Sequence, residues 1–507
     1  MKGGTMIRKK CLKSALLLAS FFSFVLLSAH AEEPVRPHIV LFIADDLGLD
    51  VAPCHSASVR MPNLESICET SRVYERAYTH PYCTASRATM MTGRHPFRHG
   101  ANDVKQSAQK LQLSEVTFPE ILKSLSDTPY LTAGFGKWHL ADDGNGSLLN
   151  PNLQGFDYFE GNPRQHHTYK YFDYDWHING TLVGQRPVYK TTQIANSAIK
   201  YFQLVPDHIP QFMMLSFTNP HKPFHAPPET LHSYGELPEL NLRPTLSETP
   251  EADQYRVNRR EPRFDPYYFA MLEALDTEIW RITGTLSTAT KRPIVFIFIG
   301  DNGSAGEVFA SGSMDHVRSK ATLYDGGVRV PMMVWTSHPE EFPLATGRGE
   351  QLVHLADLFS TIIELSTLGQ QSQQNDQIKV DASSILADLL ATSQDRTDKR
   401  EFVFLERGNK QSLPFAYAGV DQSGLKLILR ETERQTNYSS GVLIELYDTE
   451  TDPSEIQNLI HTPCEIEKSH VWDLFNFIVS KTTNTASNPW FQQNLYHAEL
   501  QKAFERC

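Results

Sequence analysis

Two apolar runs in this chain each end in a pair of oxygen-bearing side chains, and they restrict the fold more than any other feature. The first is His38-Ile-Val-Leu-Phe-Ile-Ala-Asp45-Asp46, with no polar residue breaking its apolar stretch. A strand with one wet face alternates, whereas a continuous run suits a strand buried on both faces, as in a parallel sheet covered by helices. Pro293-Ile-Val-Phe-Ile-Phe-Ile-Gly300-Asp301-Asn302-Gly303 repeats the pattern much later in the chain. In open α/β sheets, ligands gather beyond the carboxyl ends of the strands. Asp45, Asp46, Asp301 and Asn302 delivered to one such edge would form an all-oxygen set for a hard divalent cation. A cation would also offset the mutual repulsion of the carboxylates.

Two further strand ends carry basic groups. Leu131-Thr-Ala-Gly-Phe-Gly136 runs into Lys137-Trp138-His139, and Gln211-Phe-Met-Met-Leu-Ser-Phe-Thr runs into Asn219-Pro220-His221-Lys222-Pro223, where two prolines stiffen the turn around His221. Apolar spacing predicts helices over Leu113–Leu125 (capped by Ser114), Thr191–Phe202, Tyr268–Ile282 and Leu352–Leu365. Asp276, on the third of these, is given no catalytic role. The region 206–263, rich in proline and charge, reads as a long loop segment over the site. After the Gln-rich linker Ser366–Lys379 come short alternating strands at Phe402–Leu405, Ala416–Val420, Leu425–Leu429 and Leu443–Tyr447. The expected fold is α/β, with a large, mostly parallel mixed sheet sandwiched by helices and a smaller C-terminal antiparallel-sheet subdomain. The expected boundaries are 1–31, 32–370 and 380–507.

The first segment has the grammar of a secretory leader. Arg8, Lys9, Lys10 and Lys13 precede an apolar stretch from Ala15 to Leu27, and Ala29-His30-Ala31 offers a cleavage site. That stretch is short for a membrane span, so the chain is expected to be secreted or periplasmic, with no membrane attachment after cleavage. Loss of Lys2, Arg8, Lys9, Lys10 and Lys13 takes the formal charge from −12 to −17. So acidic a chain is a poor partner for nucleic acid, and an anionic substrate needs a locally basic cleft. The remaining cysteines besides Cys83 are Cys54, Cys68, Cys464 and Cys507. They allow three pairings, of which Cys54–Cys68 with Cys464–Cys507 is the simplest, or they remain free thiols.

Cys83-Thr84-Ala85-Ser86-Arg87 lies at the head of a predicted helix, Ser86 to Met91, closed by Gly93. The helix start favours an anion, and Arg87 lies one turn along on the same face. Nucleophile, anion site and arginine together suit attack on a negatively charged ester. The pattern C-x-A-x-R followed by Thr-Gly-Arg resembles the formylglycine-dependent sulfatases, relatives of the alkaline phosphatases. The stretch Ser319-Lys320 through Asp325-Gly326-Gly327 and the C-terminal Leu446-Tyr447-Asp448 resemble further motifs of that family, in family order. Ala85 stands where many members carry proline.

The resemblance implies a sulfuric ester hydrolase in which Cys83 is converted to 3-oxoalanine (formylglycine) by a maturation enzyme. It implies one Ca²⁺ held by Asp45, Asp46, Asp301, Asn302 and the modified Cys83. Arg87 and Lys137 would hold the nucleophile and the sulfate charge, His139 would bond to the aldehyde hydrate, and His221 and Lys320 would grip the sulfate. The rival readings are a phosphomonoester or phosphonate hydrolase of the same superfamily and an inactive glycan-binding relative. The expected substrate is a sulfated carbohydrate. Arg164, His166, His167 and Arg318 are its candidate contacts, with Tyr171 and Trp176 as nearby aromatic faces.

Overall fold

The computed structural model describes residues 35–56, 60–102, 110–125, 129–164, 170–238, 264–308, 316–369, 378–390, 400–408, 415–431, 442–463, 466–482 and 493–505. The leader, His166 and His167, and Cys464 and Cys507 therefore lie outside the described residues.

The first apolar run is strand β1 (His38–Asp45), buried along its whole length. It pairs in parallel with β8 (Gln211–Pro220) on one side and β9 (Ile294–Gly300) on the other. β4 (Leu131–Lys137) follows β8, and β5 (Tyr158–Asn162) follows β4, again in parallel. Antiparallel pairings follow on both sides: β6 (Tyr174–Ile178) and β7 (Thr181–Arg186) beyond β5, and β10 (Met332–Thr336) beside β9. With β2 (Arg72–Tyr74) and β11 (Gly347–Gly349) the sheet has ten strands among the described residues, in the order β11-β2-β10-β9-β1-β8-β4-β5-β6-β7, and β3 (Ala77–Tyr78) pairs in parallel with β12 (Val353–His354) apart from it.

Successive residues of a strand point to opposite faces, and here both faces are apolar. Val40, Phe42 and Ala44 pack with Met271, Leu275 and Ile279 of the helix Asp265–Ala289 and with Ile194 and Ala198 of the helix Lys190–Leu204. Ile39, Leu41 and Ile43 pack the other way, with Ala88 and Met91 of the helix Cys83–Thr92 and with Leu358 and Ile362 of the helix Asp357–Ser366. The result is a helix–sheet–helix sandwich. Each fully buried side chain of this kind contributes about 1.5–3 kcal/mol, so the continuous runs anchor the centre of the molecule. No described helix is long and apolar enough to cross a membrane.

The smaller sheet, β13-β14-β15-β16 (Phe402–Arg407, Ala416–Asp421, Leu425–Glu431 and Val442–Asp448), is antiparallel throughout. One face carries Phe404, Leu427 and Leu429 onto the helices Lys468–Thr482 and Gln493–Glu505. The other carries Val403, Leu405 and Val420 onto Tyr78, Leu323 and Val328. Lys426 of this sheet is buried between Asp325 (2.7 Å) and Glu455 (2.9 Å), which fixes the helical turn Asp325–Val328 to the C-terminal sheet.

Three local expectations change. The helix expected from Leu113 starts only at Phe118, because Thr117 rather than Ser114 caps it, in a reciprocal capping box with Glu120. Leu352–Leu365 splits into a two-residue strand, Val353–His354, and the helix Asp357–Ser366. The region read as loop from 206 contains β8 itself, and its residues 239–263 lie outside the described ones. Asp276 is structural: its carboxylate accepts from the backbone of Asn63 and Leu64 at the head of a short helix. Cys54 and Cys68 form a disulfide.

Candidate active site

The carboxyl ends of β1, β4, β8 and β9 converge, and the helix Cys83–Thr92 points its N-terminus at the same place. Gly93 ends that helix with φ +67°, a left-handed cap, as the sequence predicts. Cys83 Sγ lies 3.3 Å from Asp45 Oδ1, 3.8 Å from Asp46 Oδ1 and 3.4 Å from Lys320 Nζ. Lys137 pairs with Asp45, and Lys320 with Asp46. Asn302 donates to Asp46 Oδ1 at 2.8 Å, and Asp301 Oδ1 accepts from the Asp46 amide at 3.1 Å. Gly303 is required beside them: a Cβ there would stand 1.9 Å from the carbonyl oxygen of Gly326. The Asp-Asn-Gly and Gly-Gly motifs are therefore two halves of one close backbone contact.

Arg87 is held below Cys83 rather than presented to solvent. Its guanidinium donates to Asp301 Oδ2 (2.9 Å), to the Lys137 carbonyl (3.0 Å) and to Ser216 Oγ (2.5 Å). Asp46 at φ +68° and His139 at φ +69° adopt the left-handed region that non-glycine residues rarely take. Such strain gathers where a side chain must be aimed against local preference.

The electrostatics follow from burying so many charges. Burial and the neighbouring Asp45 push the Asp301 carboxyl up to about 6. Burial acts on Asp46 in the same direction, but Lys320, His221 and Lys137 outweigh it and hold that carboxyl below the usual range. Burial, then Asp301 and Asp45, push the Cys83 thiol up, so the unmodified cysteine is a poor nucleophile in this setting. Burial pulls His221 down to about 3, partly opposed by Asp46, and leaves its ring neutral. His221 Nδ1 contacts the Lys222 carbonyl oxygen at 2.5 Å and must donate to it, so Nε2 is the nitrogen that faces Asp46 Oδ2, 3.7 Å away.

A cation fits this place. Asp46 Oδ2 and Asn302 Oδ1 are buried with no hydrogen-bond partner among the described residues. Ligand atoms of Asp45, Asp46, Cys83 and His221 all lie within 4.8 Å of one another. The oxygen donors among them, Asp45 and Asp46 with Asp301 and Asn302 beside them, carry net negative charge and suit Ca²⁺ rather than zinc.

The helix Cys83–Thr92, four strand ends and the segment around Lys320 thus bring together Cys83, Arg87, Lys137, His139, His221, Lys320, Asp45, Asp46, Asp301 and Asn302. The candidate sugar contacts are less uniform. Arg164 is paired with the exposed Asp143, and Arg318 lies 5.1 Å over the Tyr324 ring. Tyr171 and Trp176 are wholly buried in the core, donating to the carbonyls of Thr218 and His221 and to Glu160, so neither offers a face to a ligand. Two contributors escaped the sequence reading. Ser216 stands out only as a hydroxyl within an apolar strand, and Lys110 sits in an irregular segment with no motif around it.

Residues 37–368 match the family model described as Sulfatase. Arylsulfatase J of Mus musculus is 26% identical over 369 residues, which cover 69% of this chain and 55% of that protein. N-acetylgalactosamine-6-sulfatase of the same species is 27% identical over 405 residues, covering 72% of this chain and 68% of that protein. Among solved structures, Ps i-CgsB superposes with a TM-score of 0.67 at 20% identity, over 92% of this chain and 98% of its own. BT4656, solved in complex with its substrate D-glucosamine-2-N,6-O-disulfate, gives 0.68 at 17% identity, over 90% and 99%. The two structures share the fold, and the family model spans β1, the helix Cys83–Thr92 and β9 in one match. The chain belongs to the sulfatase family.

Proposed function

We propose that this chain is an exported sulfatase that hydrolyses sulfate esters of a sulfated carbohydrate. The observation that carries the reading is the cleft around Cys83, where a cysteine at a helix head sits among four oxygen donors for one cation and a surplus of lysine, arginine and histidine. When present, the aldehyde hydrate made from Cys83 supplies a hydroxyl nucleophile, and Ca²⁺ held by Asp45, Asp46, Asp301, Asn302 and residue 83 supplies compensating charge.

The chain's own residues do the rest. Lys137 and Lys320 carry ammonium groups toward the three charged oxygens of a sulfate and oppose charge that develops in the transition state. Arg87 keeps Asp301 ionised and locked against Ser216, so the donor set does not collapse. Asp46 stands within reach of position 83 to take a proton from the attacking hydroxyl. His221 Nε2 faces the side from which the alcohol departs. An incoming sulfate raises the proton affinity of that nitrogen, and it can then protonate the leaving oxygen. His139 offers two buried ring nitrogens with no hydrogen-bond partner among the described residues, suited to the hydrate's second hydroxyl.

The carbohydrate assignment rests on the leader-like N-terminus and on the relatives, with Arg164 and Arg318 as candidate contacts. The N-acetylgalactosamine-6-sulfatases are named for a sugar, and Ps i-CgsB is solved in complex with a neocarrahexaose. Turnover of a panel of sulfated oligosaccharides, set against the matching phosphate esters, tests the reading. Sulfate release from at least one oligosaccharide, with phosphate esters slower by a hundredfold or more, is expected. Preferred phosphate release would assign the cleft to a phosphohydrolase instead, and binding without turnover to an inactive glycan-binding relative.

A further inference from the structure

One buried cation has no place in the reading above. Lys110 is 5% exposed, and its ammonium donates to Thr84 Oγ1 and to the carbonyl oxygen of His139, each at 3.2 Å. Thr84 follows Cys83 in the first turn of the nucleophile helix. His139 follows β4 with its backbone in the left-handed region, and its amide donates to the Pro163 carbonyl at 3.2 Å. One side chain thus ties the head of the helix to the loop that presents His139. The His139 ring is 3% exposed, and neither of its nitrogens has a hydrogen-bond partner among the described residues.

We propose that Lys110 is a positioning residue for this reaction: it clamps His139 to the head of the nucleophile helix and sets a fixed positive charge against its ring. The inference rests on the reading of the cleft as a sulfate-ester site. In that reading His139 must accept the proton of the hydrate's free hydroxyl while the carbon–oxygen bond to sulfate breaks. The O–H electron pair becomes the carbonyl bond, the C–O pair leaves with sulfate, and the proton stays on a ring nitrogen. An imidazolium could not take it. Burial holds the His139 ring well below the usual histidine range, and Lys110 leads the charges that add to this, ahead of Lys137, Arg87 and His221.

The ring can be followed without the reaction. In ¹⁵N-histidine-labelled protein carrying the unconverted Cys83, with the His139 signal assigned by His139→Gln, Lys110→Gln should move the ring's titration midpoint up by about one pH unit or more. Lys110→Arg, which keeps the charge, should leave it near the native position, and Lys110→Met serves as a second neutral variant if Gln prevents folding. In the matured enzyme the acid limb of kcat, which includes the expulsion of sulfate, should move upward with the ring in the neutral variants and return in Lys110→Arg. An unmoved ring, with kcat lowered equally at every pH, would reduce Lys110 to a structural tie and overturn the proposal. Absence of sulfate-ester turnover by the native matured enzyme would instead defeat the reading on which it rests, whatever the ring does.

Discussion

The molecule buries ionisable side chains in two places, and it handles them in opposite ways. At the carboxyl ends of β1 and β9, carboxylates meet ammonium and guanidinium groups, so charge is retained and compensated. Elsewhere, His80, His95 and His354 are buried with their rings edge to face, their centroids 4.9–5.4 Å apart. Both groups contain ligand types that bind metals. Their hydrogen bonds separate them. The Glu406 amide donates to His80 Nδ1 at 3.2 Å and the Ala356 amide to His354 Nδ1 at 3.1 Å, so each neutral ring carries its proton on Nε2. A metal-bound imidazole normally donates from its second nitrogen instead of accepting there. The histidine group is therefore a neutral packing unit, whereas the carboxylate group is arranged for a cation.

The sharpest way to break this comparison is at Cys83. Cys83→Ala should reduce sulfate-ester turnover to background and leave the melting temperature within a few degrees, because the thiol contributes little packing. A variant that unfolds would show that position 83 belongs to the core as the histidines do. Chelation ranks next. A calcium chelator should lower turnover by a hundredfold or more, and added Ca²⁺ should restore it, with metal analysis finding about one calcium and no stoichiometric zinc. Zinc retained by the protein and lost in His354→Asn would contradict the tautomer argument.

The third prediction belongs to the histidines. His80 is pulled down to about 3 by burial, and His95 and His354 are also pulled well below their usual value, burial leading in each case. The folded state thus binds fewer protons than the unfolded one below pH 6.5. Their contribution to stability is complete above that pH and is lost as pH falls from 6.5 toward 3. Each ring costs roughly 1.4 kcal/mol per pH unit in that window. Glu406, pushed up to about 8 by burial, holds a proton when folded and acts in the opposite sense. Urea unfolding at pH 7 and pH 5.5 should show a steep loss, and His354→Asn should make it shallower by about one ring's share. An unchanged slope would mean that the ring is protonated in the folded protein. The smallest effect is expected at Arg164. Arg164→Ala should lower kcat/KM several-fold on a sulfated oligosaccharide and hardly at all on an aryl sulfate. Equal losses on both would place Arg164 in service of the fold.

What could be read from the sequence follows the same division. Asp45, Asp46, Asp301 and Asn302 were legible because a strand buried on both faces must be apolar, so the first oxygens after it mark the sheet edge. Cys83, Arg87 and Gly93 were legible because helix starts and stops have local chemistry. The histidine group was not, since residues 80, 95 and 354 meet only through the fold. Lys110 was not, since nothing local distinguishes a buried lysine from an exposed one. Tyr171 and Trp176 misled for a related reason: aromatic composition does not say whether a ring faces a ligand or the core.

The central claim, that Cys83 is the precursor of the nucleophile, is tested most directly by peptide mass spectrometry on preparations of graded activity. Specific activity should rise in proportion to the fraction of the Cys83 peptide carrying 3-oxoalanine and extrapolate to zero for the intact thiol. Full activity in protein whose Cys83 remains entirely a thiol would contradict it.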